Sequence, residues 1–377
     1  PYSITFTSAK QKITINDILM GQVWLCSGQS NMEFSYNWGD LDAGNALKTC
    51  KNYKIRFFHI SPRYEDDPQS KSDGKWVVCD STAMRTFSLI GYFFGRDLNA
   101  NLHQPVGLIG SYWGGTTVQS WTPGGVYKDT TLRRMADEME PVYWAPVAPS
   151  VLYNAMINPI INYKIAGTIW YQGEQNVGHP RVYGPLFRAM ILSWRKKFQN
   201  EFPFYYVQIA PWNGYSGING ALLREQQATA LTLPKTGMVT IGDLVNDITN
   251  IHPKLKRGVA LRLSDLALKE VYGFKNLKPY QPHYVSMKIK RNKAFITVKS
   301  YGQLTVKGKT IKSFQIAGSD KVFYPAKAIL KRNGDIEVFS LKVKHPVAVR
   351  YCFTNAEMPN LFDVNGLPLE PFRTDKW

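Results

Sequence analysis

Short apolar runs separated by amphipathic stretches set the texture of the first three quarters of the chain. Runs at 23–26, 55–60, 106–109, 165–171, 204–209 and 238–241 have strand length and strand composition. Between them, 88–102, 185–198 and 222–231 repeat apolar positions at helical spacing. A last helix is expected over 254–272, with Leu255, Val259, Leu263, Leu266 and Ala267 on one face. Strand alternating with helix predicts a largely parallel sheet with helices on both faces. Beyond residue 275 the helical period disappears. Met287-Lys288-Ile289-Lys290 and Ala294-Phe295-Ile296-Thr297-Val298-Lys299 alternate with period two, as strands with one wet and one buried face do. At the other end, 2–6 and 12–15 read as two strands of a β element. The expected organisation is a β fragment over 1–20, an α/β domain over 21–275 and a β-sandwich-like domain over 276–377.

Composition narrows the classes. The chain has 377 residues, 44% hydrophobic and 13% aromatic, enough for a sizeable core and too apolar for disorder. No apolar run approaches the roughly 20 residues of a membrane helix. The net charge of +18 invites a polyanion partner, but 276–377 alone carries 18 Lys and Arg against 7 Asp and Glu, hence +11. Those charges alternate with apolar residues, which describes a solvated strand face. No arginine-rich helix, zinc-finger spacing or RNA-recognition motif supports nucleic-acid binding. The four cysteines, Cys26, Cys50, Cys79 and Cys352, form no C-x-x-C, and Cys26 sits in an apolar strand.

Three turns carry candidate chemistry. The run Trp24-Leu25-Cys26-Ser27-Gly28-Gln29-Ser30-Asn31-Met32 ends a strand and turns at a glycine. Ser30 then falls where a helix begins, beside free N–H groups. A helix-capping serine is the bland alternative. Gly110-Ser111-Tyr112-Trp113-Gly114-Gly115-Thr116 follows a second strand, and its glycine pair leaves a backbone N–H uncovered, as an oxyanion hole requires. A tight turn would look the same. Ile169-Trp170-Tyr171-Gln172-Gly173-Glu174-Gln175-Asn176 follows a third strand and supplies an amide and a carboxylate, or else a loop that bonds itself. A serine nucleophile needs a base. Of six histidines, His252 stands out, after an acidic loop and just before Pro253 and the last helix.

These segments resemble the sialate O-acetylesterase family, carbohydrate esterases of the SGNH-hydrolase fold. The resemblance rests on Gly28-Gln29-Ser30-Asn31-Met32, on 105–109 running into Trp113-Gly114-Gly115-Thr116, on Trp170-Tyr171-Gln172-Gly173-Glu174, and on Ile251-His252-Pro253 with Lys256. It extends to Phe323-Tyr324-Pro325-Ala326 and Pro371-Phe372-Arg373-Thr374-Asp375 near the end. It implies a three-layer α/β/α domain with Ser30 as nucleophile and His252 as base. It implies an oxyanion hole from the Ser30 N–H, a glycine N–H at Gly115 (or Gly114) and the Asn176 side chain, with Gln172 and Trp113 against the substrate. Neither metal nor organic cofactor is implied. The implied partner is an O-acetylated sialic acid or another acetylated glycan, and the implied setting is periplasmic or secreted. The same residues would serve an acetylxylan esterase, and the same fold without turnover would serve a glycan-binding or polyanion-binding module. Many relatives place an aspartate two residues before the histidine. Here Asn250 stands there, which leaves Glu174 and Asp247 as candidates to complete a triad. Trp38, Trp113, Trp121, Tyr171 and Trp212 are candidates for a sugar-stacking rim, and Arg181, Arg188 and Arg224 for contact with a sugar carboxylate.

Overall fold

A computed structural model describes residues 1–39, 41 and 43–377. Strands β1 (Tyr2–Thr7) and β2 (Lys12–Ile18) pair antiparallel as a hairpin whose residues are almost all exposed. An ion pair from Asp17 to Arg56 at 3.0 Å ties the hairpin to the next unit.

That unit runs β3 (Gln22–Gly28), α1 (Ser30–Glu33), α2 (Ala43–Thr49), β4 (Asn52–His59), β5 (Trp76–Cys79), α3 (Ser81–Thr86), α4 (Leu89–Leu102), β6 (Val106–Tyr112) and α5 (Thr130–Asp137). It continues through β7 (Gly167–Tyr171), α6 (Pro180–Lys197), β8 (Phe204–Val207), α7 (Asn219–Ala228), β9 (Thr236–Val239) and α8 (Lys256–Glu270). The sheet order is β5-β4-β6-β3-β7-β8-β9, parallel except for the edge strand β5. β3 is the central strand, and its side chains alternate between two cores. Trp24 and Cys26 pack with α4 and α8 on one face, Leu25 with Trp170 and α6 on the other. Burial on both faces is why these strands are continuously apolar rather than half polar. The result is a three-layer α/β/α fold.

Capping explains the helix boundaries. Ser88 accepts from the Gly91 N–H and starts α4, and Asp80 does the same for α3 through Ala83. Helix α6 starts five residues before the position its apolar period suggests. Pro180 is its first residue, and Pro185 is carried inside.

The remaining strands are antiparallel: β10 (His283–Lys290), β11 (Lys293–Lys299), β12 (Thr305–Val306), β13 (Phe314–Ala317), β14 (Phe323–Pro325), β15 (Lys327–Leu330), β16 (Ile336–Phe339), β17 (Ala348–Tyr351), β18 (Leu361–Phe362) and β19 (Phe372–Arg373). Two four-stranded sheets, β10-β11-β16-β15 and β14-β13-β17-β19, enclose a core of Ala294, Ile296, Phe314, Ile316, Val338 and Tyr351. Lys299 faces water and Ile296 the core, as the alternation predicts. At the end of β10, however, Ile289 is exposed together with Lys288 and Lys290, because the strand ends in an edge hairpin beyond the core. Arg373 holds this β region to α7 through Glu225 at 2.7 Å. No helix among the described residues is long and apolar enough to cross a membrane.

Candidate active site

The three turns singled out in the sequence converge at the carboxyl ends of neighbouring strands β3, β6 and β7. Gly28 ends β3 with φ +134°, and a Cβ there would overlap the Tyr171 carbonyl of β7. Only glycine permits that approach. The Gln29 N–H then donates to the Tyr171 carbonyl at 2.9 Å. Its side-chain oxygen accepts from the N–H groups of Gly173 and Gln175 at 3.2 and 3.4 Å. The Trp113 N–H donates to the Gly28 carbonyl at 3.1 Å. Ser30 is thus held from both sides at the first position of α1, where the opening N–H groups have no acceptor within the helix.

His252, 222 residues away, arrives on the loop before α8. Its Nε2 lies 2.9 Å from Ser30 Oγ. If the hydroxyl donates, the neutral ring carries its proton on Nδ1. The Asn250 side chain accepts from the His252 N–H at 2.9 Å and shapes the turn, rather than touching the ring. The edge-on indole of Trp38 lies 5.6 Å from the imidazole centre. Burial, helped by the Lys256 cation, pushes the His252 pKa down to about 4, so the ring is unprotonated at neutral pH.

The Gly114-Gly115 turn lies beside Ser30. A Cβ on Gly114 would stand 3.2 Å from Ser30 Cβ, which puts this backbone against that side chain. The Gly114 N–H is already engaged by Glu33 at 2.7 Å. Gly115 has φ +74°, and a Cβ on it would meet the Trp144 indole at 2.7 Å.

Several candidate residues have duties other than those the resemblance implies. Among the described residues, no carboxylate hydrogen bonds to His252. Glu174 instead accepts from Asn31 Nδ2 at 2.6 Å, and Asp247 accepts from the Thr249 N–H and hydroxyl at 2.8 and 2.7 Å. Asn176 is fully buried, its oxygen accepting from the Val118 N–H at 3.0 Å and its nitrogen donating to Gln119 at 3.2 Å. Gln172 is equally buried, bonded to Thr116, Asn176 and Tyr183. Both amides brace the turn from behind, with no surface toward a ligand. Trp113 and Trp38 remain partly open to solvent, whereas Trp121 and Tyr171 are wholly buried. Trp212 is turned onto Tyr215 and the Thr249 carbonyl. Arg224 lies inside the protein against the Thr354 carbonyl, and Arg181 and Arg188 are exposed along α6.

Asn31 was not singled out by residue type, yet it joins three loops. Its nitrogen donates to Glu174 and to the Ile251 carbonyl at 3.1 Å, and its oxygen accepts from Lys256 at 2.6 Å. The only sequence signal was its place beside Ser30. Burial pushes the Glu174 pKa up to about 7, against the opposing pull of Asn31 and Lys256.

Comparison with known proteins agrees with this geometry. Residues 20–263 match the family described as carbohydrate esterase, sialic acid-specific acetylesterase. Curated sialate O-acetylesterases from Homo sapiens and Pongo abelii are each 30% identical over 353 residues, which is 84% of this chain and 67% of theirs. A solved structure described as a novel carbohydrate acetylesterase from Xanthomonas citri superposes with a TM-score of 0.91 at 33% identity. That match covers 100% of this chain and 86% of the other. The turn that presents Ser30, the loop that returns His252 to it and the family match over both identify the chain as a member of the sialic acid-specific acetylesterase family of carbohydrate esterases.

Proposed function

We propose that this enzyme removes O-acetyl groups from sialic acids through an acetyl-enzyme on Ser30. The observation that carries the reading is the 2.9 Å contact between Ser30 Oγ and His252 Nε2, made by residues far apart in the chain. A binding module has no need of a base on a serine at a strand end. In the first step His252 Nε2 takes the hydroxyl proton as Oγ bonds to the acetyl carbonyl carbon. Negative charge gathers on the carbonyl oxygen, where the N–H groups of Ser30 and Gly115 can receive it. His252 returns the proton to the departing sugar oxygen. A water then gives a proton to His252 as it bonds to the acetyl carbon. The adduct collapses by breaking the Oγ–acyl bond while His252 passes that proton to Oγ, releasing acetate and the free serine.

Glu174 and Asp247 act here by holding loops, and so does Asn176. Glu174 fixes Asn31, and through it the start of α1 and the loop carrying His252. Trp113, Trp38 and Trp144, with Tyr64 set 6.4 Å from Trp113, form an aromatic border suited to sugar faces. A second reading, esterase action on another acetylated polysaccharide such as xylan, is favoured by the Xanthomonas citri neighbour, described by acetyl-carbohydrate chemistry alone.

The deciding experiment measures acetate release from O-acetylated sialic acids and from acetylated xylan by wild type and Ser30→Ala. Preferred turnover of the sialic acids, abolished in Ser30→Ala, is expected. Preferred turnover of xylan would replace the substrate, and undiminished activity in Ser30→Ala would end the serine mechanism.

A further inference from the structure

At the opposite end of the sheet from Ser30 lies a cavity of about 910 Å³. Its floor is made by residues at the amino ends of three strands: Ile165 and Ala166 before β7, Pro203 before β8, and Thr236 of β9. Its far wall comes from the β region. We propose that this cavity is a second binding site, for neutral sugar residues, formed where the α/β unit meets the C-terminal strands.

Size and position fit a ligand site. The volume is that of cavities that enclose small organic molecules, and junctions between structural units are where such sites gather. The chemistry of the walls fits a sugar. Tyr280 and Tyr301 are stacked with centroids 6.1 Å apart and planes 23° apart, and Tyr280 is 37% exposed. The pair gives the cavity wall aromatic surface of the kind that meets the C–H face of a pyranose, while Tyr205 behind it is buried against Trp24. The hydrogen-bonding edge is Glu370. One of its oxygens accepts from Gln281 Nε2 at 2.8 Å, and the other has no protein partner among the described residues. Burial pushes this carboxyl up to about pH 7, yet the residue retains accessible surface, because it faces the cavity and not the packed core. A carboxyl that is part protonated at neutral pH both donates and accepts, as a hydroxyl ligand requires.

The lining carries charge of both signs: Lys164, Lys235 and Lys299 stand against Glu201 and Glu270, with Glu370 only part ionised. Glu270 is also tied to the Tyr280 hydroxyl. An anionic sugar gains little from a lining of mixed sign, and a neutral polyol loses nothing. The site would therefore engage the uncharged part of a glycan, or a neighbouring chain, while esters are cleaved elsewhere. The inference does not depend on the substrate of Ser30.

The test is calorimetric titration of the full chain with lactose, N-acetyllactosamine and xylotetraose, each in parallel with free sialic acid. At least one neutral sugar should bind. Tyr301→Ala should weaken it about tenfold, the loss of one stacking face. Tyr301→Leu, which keeps the bulk, should do likewise and covers the case in which the alanine variant fails to fold. Trp113→Ala should leave this binding unchanged, and Tyr301→Ala should leave arylacetate hydrolysis unchanged, so failure here and failure of the esterase reading are told apart. Binding of none of the three sugars overturns the proposal. So does binding that responds to Trp113→Ala and not to the Tyr301 variants, or sialic acid binding at Tyr301 as tightly as the neutral sugars.

Discussion

Asn31 Nδ2 lies 2.6 Å from Glu174 Oε1, a buried link between residues 143 apart in the chain. It ties one oxygen of the third turn's carboxylate to the loop of Ser30, while the other oxygen has no hydrogen-bond partner among the described residues. In a hydrolase whose histidine leans on a carboxylate, replacing the acid by its amide costs about 10⁴ in turnover. Glu174→Gln keeps the shape and can still bond Asn31, so its arylacetate kcat/KM should fall by no more than about tenfold. A loss near 10⁴ would show Glu174 acting on the imidazole after all.

The same carboxyl makes stability depend on pH. Its pKa is raised from 4.5 to about 7 in the folded protein, with burial the leading cause. Below pH 4.5 it is protonated in both states and costs nothing. Between 4.5 and 7 the unfolded chain ionises it and the folded chain does not, so folding is progressively disfavoured, and above 7 the penalty is constant. The thermal midpoint of Glu174→Gln should therefore rise relative to wild type as pH goes from about 4.5 to 7, and run parallel beyond. A difference that is flat across this window would mean that the carboxyl ionises as freely inside as outside.

His252 shifts the other way. Burial leads and the Lys256 cation assists in pushing it down to about 4. With His252 as the proposed base, active when unprotonated above that value, the acid limb of kcat/KM should fall well below the usual histidine range. Lys256→Gln removes the charge and keeps an amide for Asn31. The acid limb should move to higher pH, while the plateau changes less than the limb. An unmoved limb would assign the shift to burial alone.

Asn176 separates a structural from a catalytic amide. Its buried bonds to Val118, Gln119 and Gln172 predict that Asn176→Ala loses roughly 2–4 kcal/mol of stability, as several buried hydrogen bonds are left open. The folded fraction should keep most of its activity. An oxyanion donor would behave oppositely, with an ordinary unfolding curve and turnover lower by about 10²–10³.

The particular residues show how much of this was legible beforehand. The strand end at Tyr171 was readable because a continuously apolar run stops at an amide turn. Strands β3 and β6 instead run past their expected ends at 26 and 109 to Gly28 and Tyr112, since small and polar residues there still lie in the sheet. Ser30 and His252 could be paired from those ends and from Pro253. Strand β5 and helix α3 were not seen. Trp76–Cys79 is a four-residue edge strand after a polar stretch, too short to show a period, and α3 is a six-residue helix marked only by Asp80. The buried amides Gln172 and Asn176 were read as facing a ligand. Residue type cannot tell an amide that points into a pocket from one that braces the loop behind it, since both satisfy the same rule that buried polar groups find partners. Asp247 was ambiguous for the same reason, because an aspartate two residues before a threonine is also the signature of a self-bonded turn. The cavity at Glu370 joins residues more than two hundred positions apart and leaves no local trace.

The glycine turn offers the sharpest local test. Gly115 has a left-handed φ of +74°, which a side chain adopts at a cost of about 1–2 kcal/mol, and its Cβ would strike Trp144 at 2.7 Å. Gly115→Ala must therefore rotate the peptide or displace the indole. Either shift moves the N–H that we propose receives the developing oxyanion, and turnover of a small arylacetate should fall by about 10²–10³. The double variant Gly115→Ala with Trp144→Ala relieves the clash but keeps the backbone strain. If the N–H direction is what matters, the double variant recovers little of the arylacetate rate. Full recovery would show that Gly115 serves only to make room for Trp144, whose half-exposed ring then answers for sugar binding rather than for the oxyanion.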